Sequence, residues 1–152
     1  MDGEHDVNAT NTAKLKGMLT RINPSVVLAP WPLDVHPDHQ ASGLLAWRSF
    51  NDKQSSFDLY FFETSNPPHT KSFQFVPTHY VDITDAMPKK KEALYKHKSQ
   101  YPDTWFDMYA LIEKFRGYEA DCTYAEGYIR ARNYSGFNSR AAVVLKTLKK
   151  ED

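Results

Sequence analysis

Cysteine is nearly absent. Cys122 is the only one in 152 residues, so no internal disulfide can form and no cysteine-based zinc knuckle is encoded. A reducing compartment is the simplest setting for such a chain. Long apolar runs are missing too. No stretch approaches the ~20 residues that cross a bilayer. The start is polar (Asp2, Glu4, His5, Asp6, Asn8 and Asn11) and lacks the apolar centre of a secretory leader. The expectation is a cytoplasmic protein with no membrane partner. Neither sign of charge is in surplus: 19 Lys and Arg balance 19 Asp and Glu, which removes any global pull toward nucleic acid. Only six glycines occur, and none builds a phosphate-binding loop or a Gly-x-Ser-x-Gly elbow.

What is present is ordinary for a globular protein: 41% hydrophobic and 25% charged residues, in a length that suits one domain, 1–152, with a real core. Nine Tyr, nine Phe and three Trp suit a packed interior, or a cleft that stacks flat ligands or sugar rings. Ala13, Leu15, Met18, Leu19 and Ile22 recur at helical spacing and predict a helix with one inner face, capped by Thr10 or Asn11 and ended at Asn23-Pro24. Ser25 to Ala29 is wholly apolar after its serine and predicts a strand buried on both faces. A second helix should begin near Pro37 or Asp38 and turn Ala41, Leu44, Leu45 and Trp47 inward. Phe57–Glu63, Ser72–Val76, His79–Ile83 and Tyr124–Ala131 read as strands, with a loop at Asn66-Pro67-Pro68-His69.

Thr84 or Asp85 should cap a helix reaching Lys98, with Ala86, Leu94 and His97 inside and Lys89, Lys90 and Lys91 mostly in solvent. Asp103 or Thr104 should cap another, carrying Trp105, Met108, Tyr109, Ile112 and Phe115 and ended by Gly117. Residues 133–140 read as loop and 141–148 as an amphipathic tail helix. Arg130, Arg132, Tyr134 and Arg140 mix basic and aromatic character. The zero net charge argues against single-stranded nucleic acid as their ligand.

The chemistry concentrates in Asp34-Val35-His36-Pro37-Asp38-His39-Gln40-Ala41, where an apolar strand gives way to a helix. In α/β proteins ligands bind at that edge. His36 and His39 are three apart and can share a pocket. Neutral imidazole is a good zinc ligand, and a helix N-terminus disfavours the imidazolium. Asp34 or Asp38 could accept a ring N–H and fix a tautomer. The same spacing also fits an exposed, capped turn with surface histidines. A catalytic zinc takes three protein ligands, and the turn supplies two at most. His69, His79 and His97 qualify by residue type alone. Cys122 has no base near it in sequence and suits a small buried position.

Pro24-Ser25-Val26-Val27-Leu28-Ala29-Pro30 followed by Asp34-x-His36-Pro37-Asp38-His39 resembles the second motif of the LmbE/PIG-L zinc deacetylases. The likeness continues through Tyr80-Val81-Asp82-Ile83-Thr84, Lys90-Lys91-x-Ala93-Leu94, His97-Lys98-Ser99-Gln100, Arg116-Gly117 and Tyr124-Ala125-Glu126-Gly127-Tyr128, from about residue 10 to 131. The resemblance implies a Rossmann-like α/β three-layer sandwich with a mainly parallel sheet. It also implies a zinc-dependent hydrolase that removes an N-acetyl group from an amino sugar or sugar conjugate. The sequence leaves the oligomeric state open, with a homo-oligomer as one option. His39 would be the metal ligand. His36 would stabilise the oxyanion and help protonate the leaving amine, and Asp38 would be a supporting carboxylate. Glu126, Lys98 and Gln100 match family positions without an assigned role.

The family's opening His-Pro-Asp-Asp-Glu motif does not occur, and His5-Asp6 follows no buried strand. The chain therefore resembles an N-terminally truncated enzyme, which would leave the Ser25–Ala29 strand without a neighbour. A truncated reading frame, a pseudogene product or split partner, and a protein that has abandoned catalysis all fit. On the first of these, residues 1–152 alone would bind zinc weakly and show little activity. The competing reading is a metal-free carbohydrate-binding or interaction module on the same scaffold.

Overall fold

The computed structural model describes Gly3 and residues 5–52, 55–66 and 69–132. The expected loop over 133–140, the tail helix over 141–148, and Pro67, Pro68, Tyr134 and Arg140 lie outside the described residues. The chain packs as two units. The described residues up to Val76 join Tyr128 to Arg132 in one, and Pro77–Gly127 forms the other.

The first unit opens with α1 (Ala9–Ile22). Its cap is Asn8, not Thr10 or Asn11: the Asn8 side chain accepts the Asn11 N–H at 2.8 Å. Asn23 closes the helix in the left-handed conformation (φ 49°), and its N–H donates to the Leu19 carbonyl. The expected inner face is mostly open. Leu19 packs on the core, but Ile22 is 64% exposed and Met18 is exposed as well. Strand β1 (Val26–Pro30) pairs in parallel with β2 (Asp58–Phe62), Val26 opposite Asp58 and Pro30 opposite Phe62. It thus has a neighbour, against expectation. It is not buried on both faces, because it is an edge strand among the described residues and Leu28 is 54% exposed.

Strand β2 is the buried one, with Leu59, Tyr60 and Phe61 almost fully enclosed. It pairs antiparallel with the end of β6 (Ala125–Arg130), Tyr60 opposite Arg130 and Phe62 opposite Tyr128. The sheet is therefore mixed, and the α/β class expected from the sequence is what forms. Helix α2 (Pro37–Phe50) buries Ala41, Gly43, Ala46, Ser49 and Phe50. Trp47, expected inside, is exposed, because Ala46 and Phe50 take the core-facing arc. Gly43 is required where it stands: a Cβ there would lie 2.4 Å from the Pro30 carbonyl oxygen. Ala29, Ala46, Phe50, Phe57, Leu59 and Phe61 make the core. Each large member contributes about 1.5–3 kcal/mol by leaving water. Beyond β2 a short hairpin forms from β3 (Ser65–Asn66) and β4 (Thr70–Lys71). Of the expected Ser72–Val76 strand, only Ser72 pairs, in a single bridge to Asp34.

The second unit holds β5 (His79–Asp82), α3 (Met87–Tyr95), α4 (Phe106–Glu119) and the first half of β6. Its core is Ile83, Met87 and Phe106, with Val81, Leu94 and Trp105 against it. Helix α3 is shorter than expected, and Ala86 sits at its cap without a side-chain bond. Pro88, which donates no N–H, lies in its first turn. Ala86 and His97 are exposed, not inside. A 3₁₀ turn over Pro102–Thr104 replaces the expected start of α4. Gly117 lies within α4 rather than ending it; a Cβ there would sit 2.5 Å from the Thr123 carbonyl oxygen. Phe115 is exposed. Among the described residues no helix is long and apolar enough to cross a membrane.

Candidate functional site

The turn between β1 and α2 is built around one buried carboxylate. Asp34 is 2% exposed. Its Oδ1 accepts the His36 N–H at 2.8 Å. Its Oδ2 accepts the Thr64 hydroxyl, and the Ser72 hydroxyl at 3.5 Å. His39 Nδ1 stands 3.4 Å from the same oxygen and 3.5 Å from Thr64 Oγ1. The Gln40 side chain donates to the Asp34 carbonyl. Burial works to raise the Asp34 pKa, but the Thr64 hydroxyl, the His36 N–H and the His39 ring outweigh it and hold the carboxyl below the usual aspartate range.

Above this carboxylate the two expected histidines come together. Their rings stack with centroids 4.8 Å apart and planes 26° from parallel. They make different hydrogen bonds. His36 caps α2, its Nδ1 accepting the Asp38 N–H at 3.2 Å. A neutral His36 therefore carries its proton on Nε2 and is a donor there. His39 meets acceptors at Nδ1 instead. Asp38 turns toward the start of the chain. Its Oδ1 accepts His5 Nδ1 at 2.8 Å and the His5 N–H at 3.2 Å, and its Oδ2 accepts the Gly3 N–H at 2.8 Å.

Of the other histidines, His69 is exposed past β3. His79 and His97 belong to the second unit, where His79 Nδ1 meets the Thr78 hydroxyl at 2.9 Å. Among the described residues no three His, Cys, Asp or Glu side chains converge to hold a metal. The donor set fits one arm of a zinc centre, His39 with Asp34 behind it, and not the whole of one. Cys122 is half-buried rather than buried, and burial followed by Asp82 pushes its thiol up, away from nucleophilic use.

Sequence reasoning missed Thr64 and Ser72, and it set His5 aside when His5-Asp6 was rejected as the opening motif. Thr64 was open to discovery, since it follows directly on the Phe57–Glu63 strand reading and strand ends carry ligand sites. Ser72 carried no local signal.

No protein-family model matches the chain. The diacetylchitobiose deacetylase of Thermococcus kodakarensis is 28% identical, across 72% of this chain and 46% of its own length. The solved N,N'-diacetylchitobiose deacetylase of Pyrococcus horikoshii superposes with a TM-score of 0.70 at 27% identity, covering 86% of this chain and 54% of that one. The chain resembles these deacetylases in sequence and in fold. That bears out the resemblance read from its motifs. It spans about half the length of these relatives. Two further structures share the fold alone. A conserved protein of Thermus thermophilus has a TM-score of 0.72 at 22% identity, covering 93% of this chain and 67% of that one. A 4-carboxy-2-hydroxymuconate hydratase of Pseudomonas putida has 0.67 at 20%, covering 88% and 62%. The hydratase shows that the scaffold does not by itself fix the reaction, so function has to be argued from the site.

Proposed function

We propose that this chain carries part of the catalytic centre of a zinc-dependent N-deacetylase, acting in the cytoplasm on an N-acetylated amino sugar or sugar conjugate. We further propose that residues 1–152 are one partial domain of that enzyme and are weakly active or inactive alone. The stacked pair at the start of α2 supports this reading, because its two rings suit different tasks. His36, a donor at Nε2, suits an amide oxygen gaining negative charge and then the departing amine. His39, with Nδ1 toward Asp34 and Thr64, suits a metal at Nε2. Asp38, at the first turn of α2, would be the supporting carboxylate by its place in the motif, although its oxygens accept from His5 and Gly3 here. A zinc ion bound through His39 would polarise the amide carbonyl and lower the pKa of a water. The sugar class is carried over from the deacetylases named above. A deacetylase of that kind would draw its remaining metal ligands from outside the described residues.

Zinc titration of residues 1–152 tests the reading, with acetate release from diacetylchitobiose measured in parallel. Weak binding that disappears in His39→Ala, with little acetate released, is the expected result. Zinc affinity unchanged by His39→Ala would refute it.

A further inference from the structure

We propose that Thr64 is a positioning residue for His39: anchored by Ser72, it fixes the Asp34 carboxylate so that His39 keeps its proton on Nδ1 and offers Nε2 as its lone pair. The use made of that lone pair rests on the zinc reading above; the ring's tautomer does not. Thr64 is pinned first through its backbone. Its N–H donates to Ser72 Oγ at 3.0 Å, and its carbonyl accepts the Ser72 N–H at 2.9 Å. The bridge between Ser72 and Asp34 and two flanking bonds, Val35 N–H to the Lys71 carbonyl at 3.1 Å and Phe73 N–H to the Leu33 carbonyl at 2.7 Å, hold that segment against the turn.

The hydroxyl of Thr64 has one proton, and an ionised carboxylate can only accept. That proton goes to Asp34 Oδ2. The Thr64 oxygen therefore meets His39 Nδ1 as an acceptor, and Asp34 Oδ2 meets the same nitrogen as a second one. Two acceptors facing one ring nitrogen select the N–H form there. The His36 N–H on Oδ1 keeps the carboxylate from swinging away. Without the hydroxyl, Oδ2 loses its main tether and Nδ1 loses one acceptor.

Ring ¹⁵N spectra of metal-free protein read the tautomer directly, independently of any activity. Wild type is expected to show one His39 form, protonated on Nδ1. Thr64→Val is expected to give a mixture with the Nε2–H form, and Thr64→Ser to restore the single form. Zinc affinity should fall by roughly 10–100-fold in Thr64→Val and return in Thr64→Ser, the usual size of an effect acting through a ligand's partner. Ser72→Ala, which removes the side-chain part of the anchor and the Ser72 hydroxyl at Asp34, should give the same mixed ring and serves where Thr64→Val fails to fold. A single Nδ1–H form retained in both Thr64→Val and Ser72→Ala, or an Nε2–H ring in wild type, overturns the proposal. The expected tautomers with no zinc bound at His39 uphold it and reject only the metalloenzyme reading.

Discussion

Asp34 is the residue on which the turn depends, and its ionisation should show in stability. Its folded pKa lies below the ordinary 3.8. The stabilisation that follows is present above about pH 4 and is lost as pH falls through the depressed folded value. Urea midpoints measured from pH 6 down to pH 2 should therefore drop below pH 4 in wild type, with a shallower drop in Asp34→Asn; equal slopes would remove Asp34 from the account. The clustering of Asp34, His36 and His39 was legible in sequence because they lie within one turn, whereas Asp38, in the same turn, gives its carboxylate to Gly3 and His5. Thr64 and Ser72 were not, since they reach Asp34 only after β2 and the β3–β4 hairpin have folded.

Between elements, fit is decided by small atoms and paired charges. Gly43 lets α2 approach β1, so Gly43→Ala must push the helix off Pro30 or bend it. A loss of about 1–3 kcal/mol is expected for such overpacking, visible as a lowered Tm. In the second unit Lys90 bridges Glu113 on α4 and Glu126 on β6, so it is no solvated lysine of a basic run. This gives Glu126 a role that the sequence left open. Glu113 is 6% exposed, and burial raises its pKa, with the Glu126 charge adding to that and Lys90 opposing it. A raised acid stabilises the fold below its ordinary 4.5 and gives that stability up as pH rises through the folded value. Glu113→Gln should therefore be neutral or stabilising at pH 7–8. Lys90→Met, which leaves two carboxylates facing each other, should cost on the order of 3 kcal/mol. Chemical denaturation at pH 7.5 separates the two. Periodicity located the helices but not their inner faces. Met18, Ile22, Trp47 and Phe115 satisfy a helical pattern and stand in solvent, because spacing records which residues align and not what packs against them.

For the molecule as a whole, charge and edges set how it behaves in solution. The net charge is zero, so copies lack the mutual repulsion that keeps many proteins apart. Among the described residues β1, with its exposed Leu28, is an edge strand, the kind of feature that templates pairing between chains. Leu28→Lys should lower light scattering at pH 7 while leaving Tm nearly unchanged; unaltered scattering would show that association runs through another surface. The α/β class was implied by the family resemblance, whereas the mixed sheet was not readable, because strand direction depends on partners far along the chain. That distance has a consequence during synthesis. Tyr60 pairs with Arg130 only after the whole of Pro77–Gly127 has been made. A ribosome must therefore make the whole intervening stretch before this pairing can form, and pairing across so long a loop is slower than pairing between neighbours in sequence.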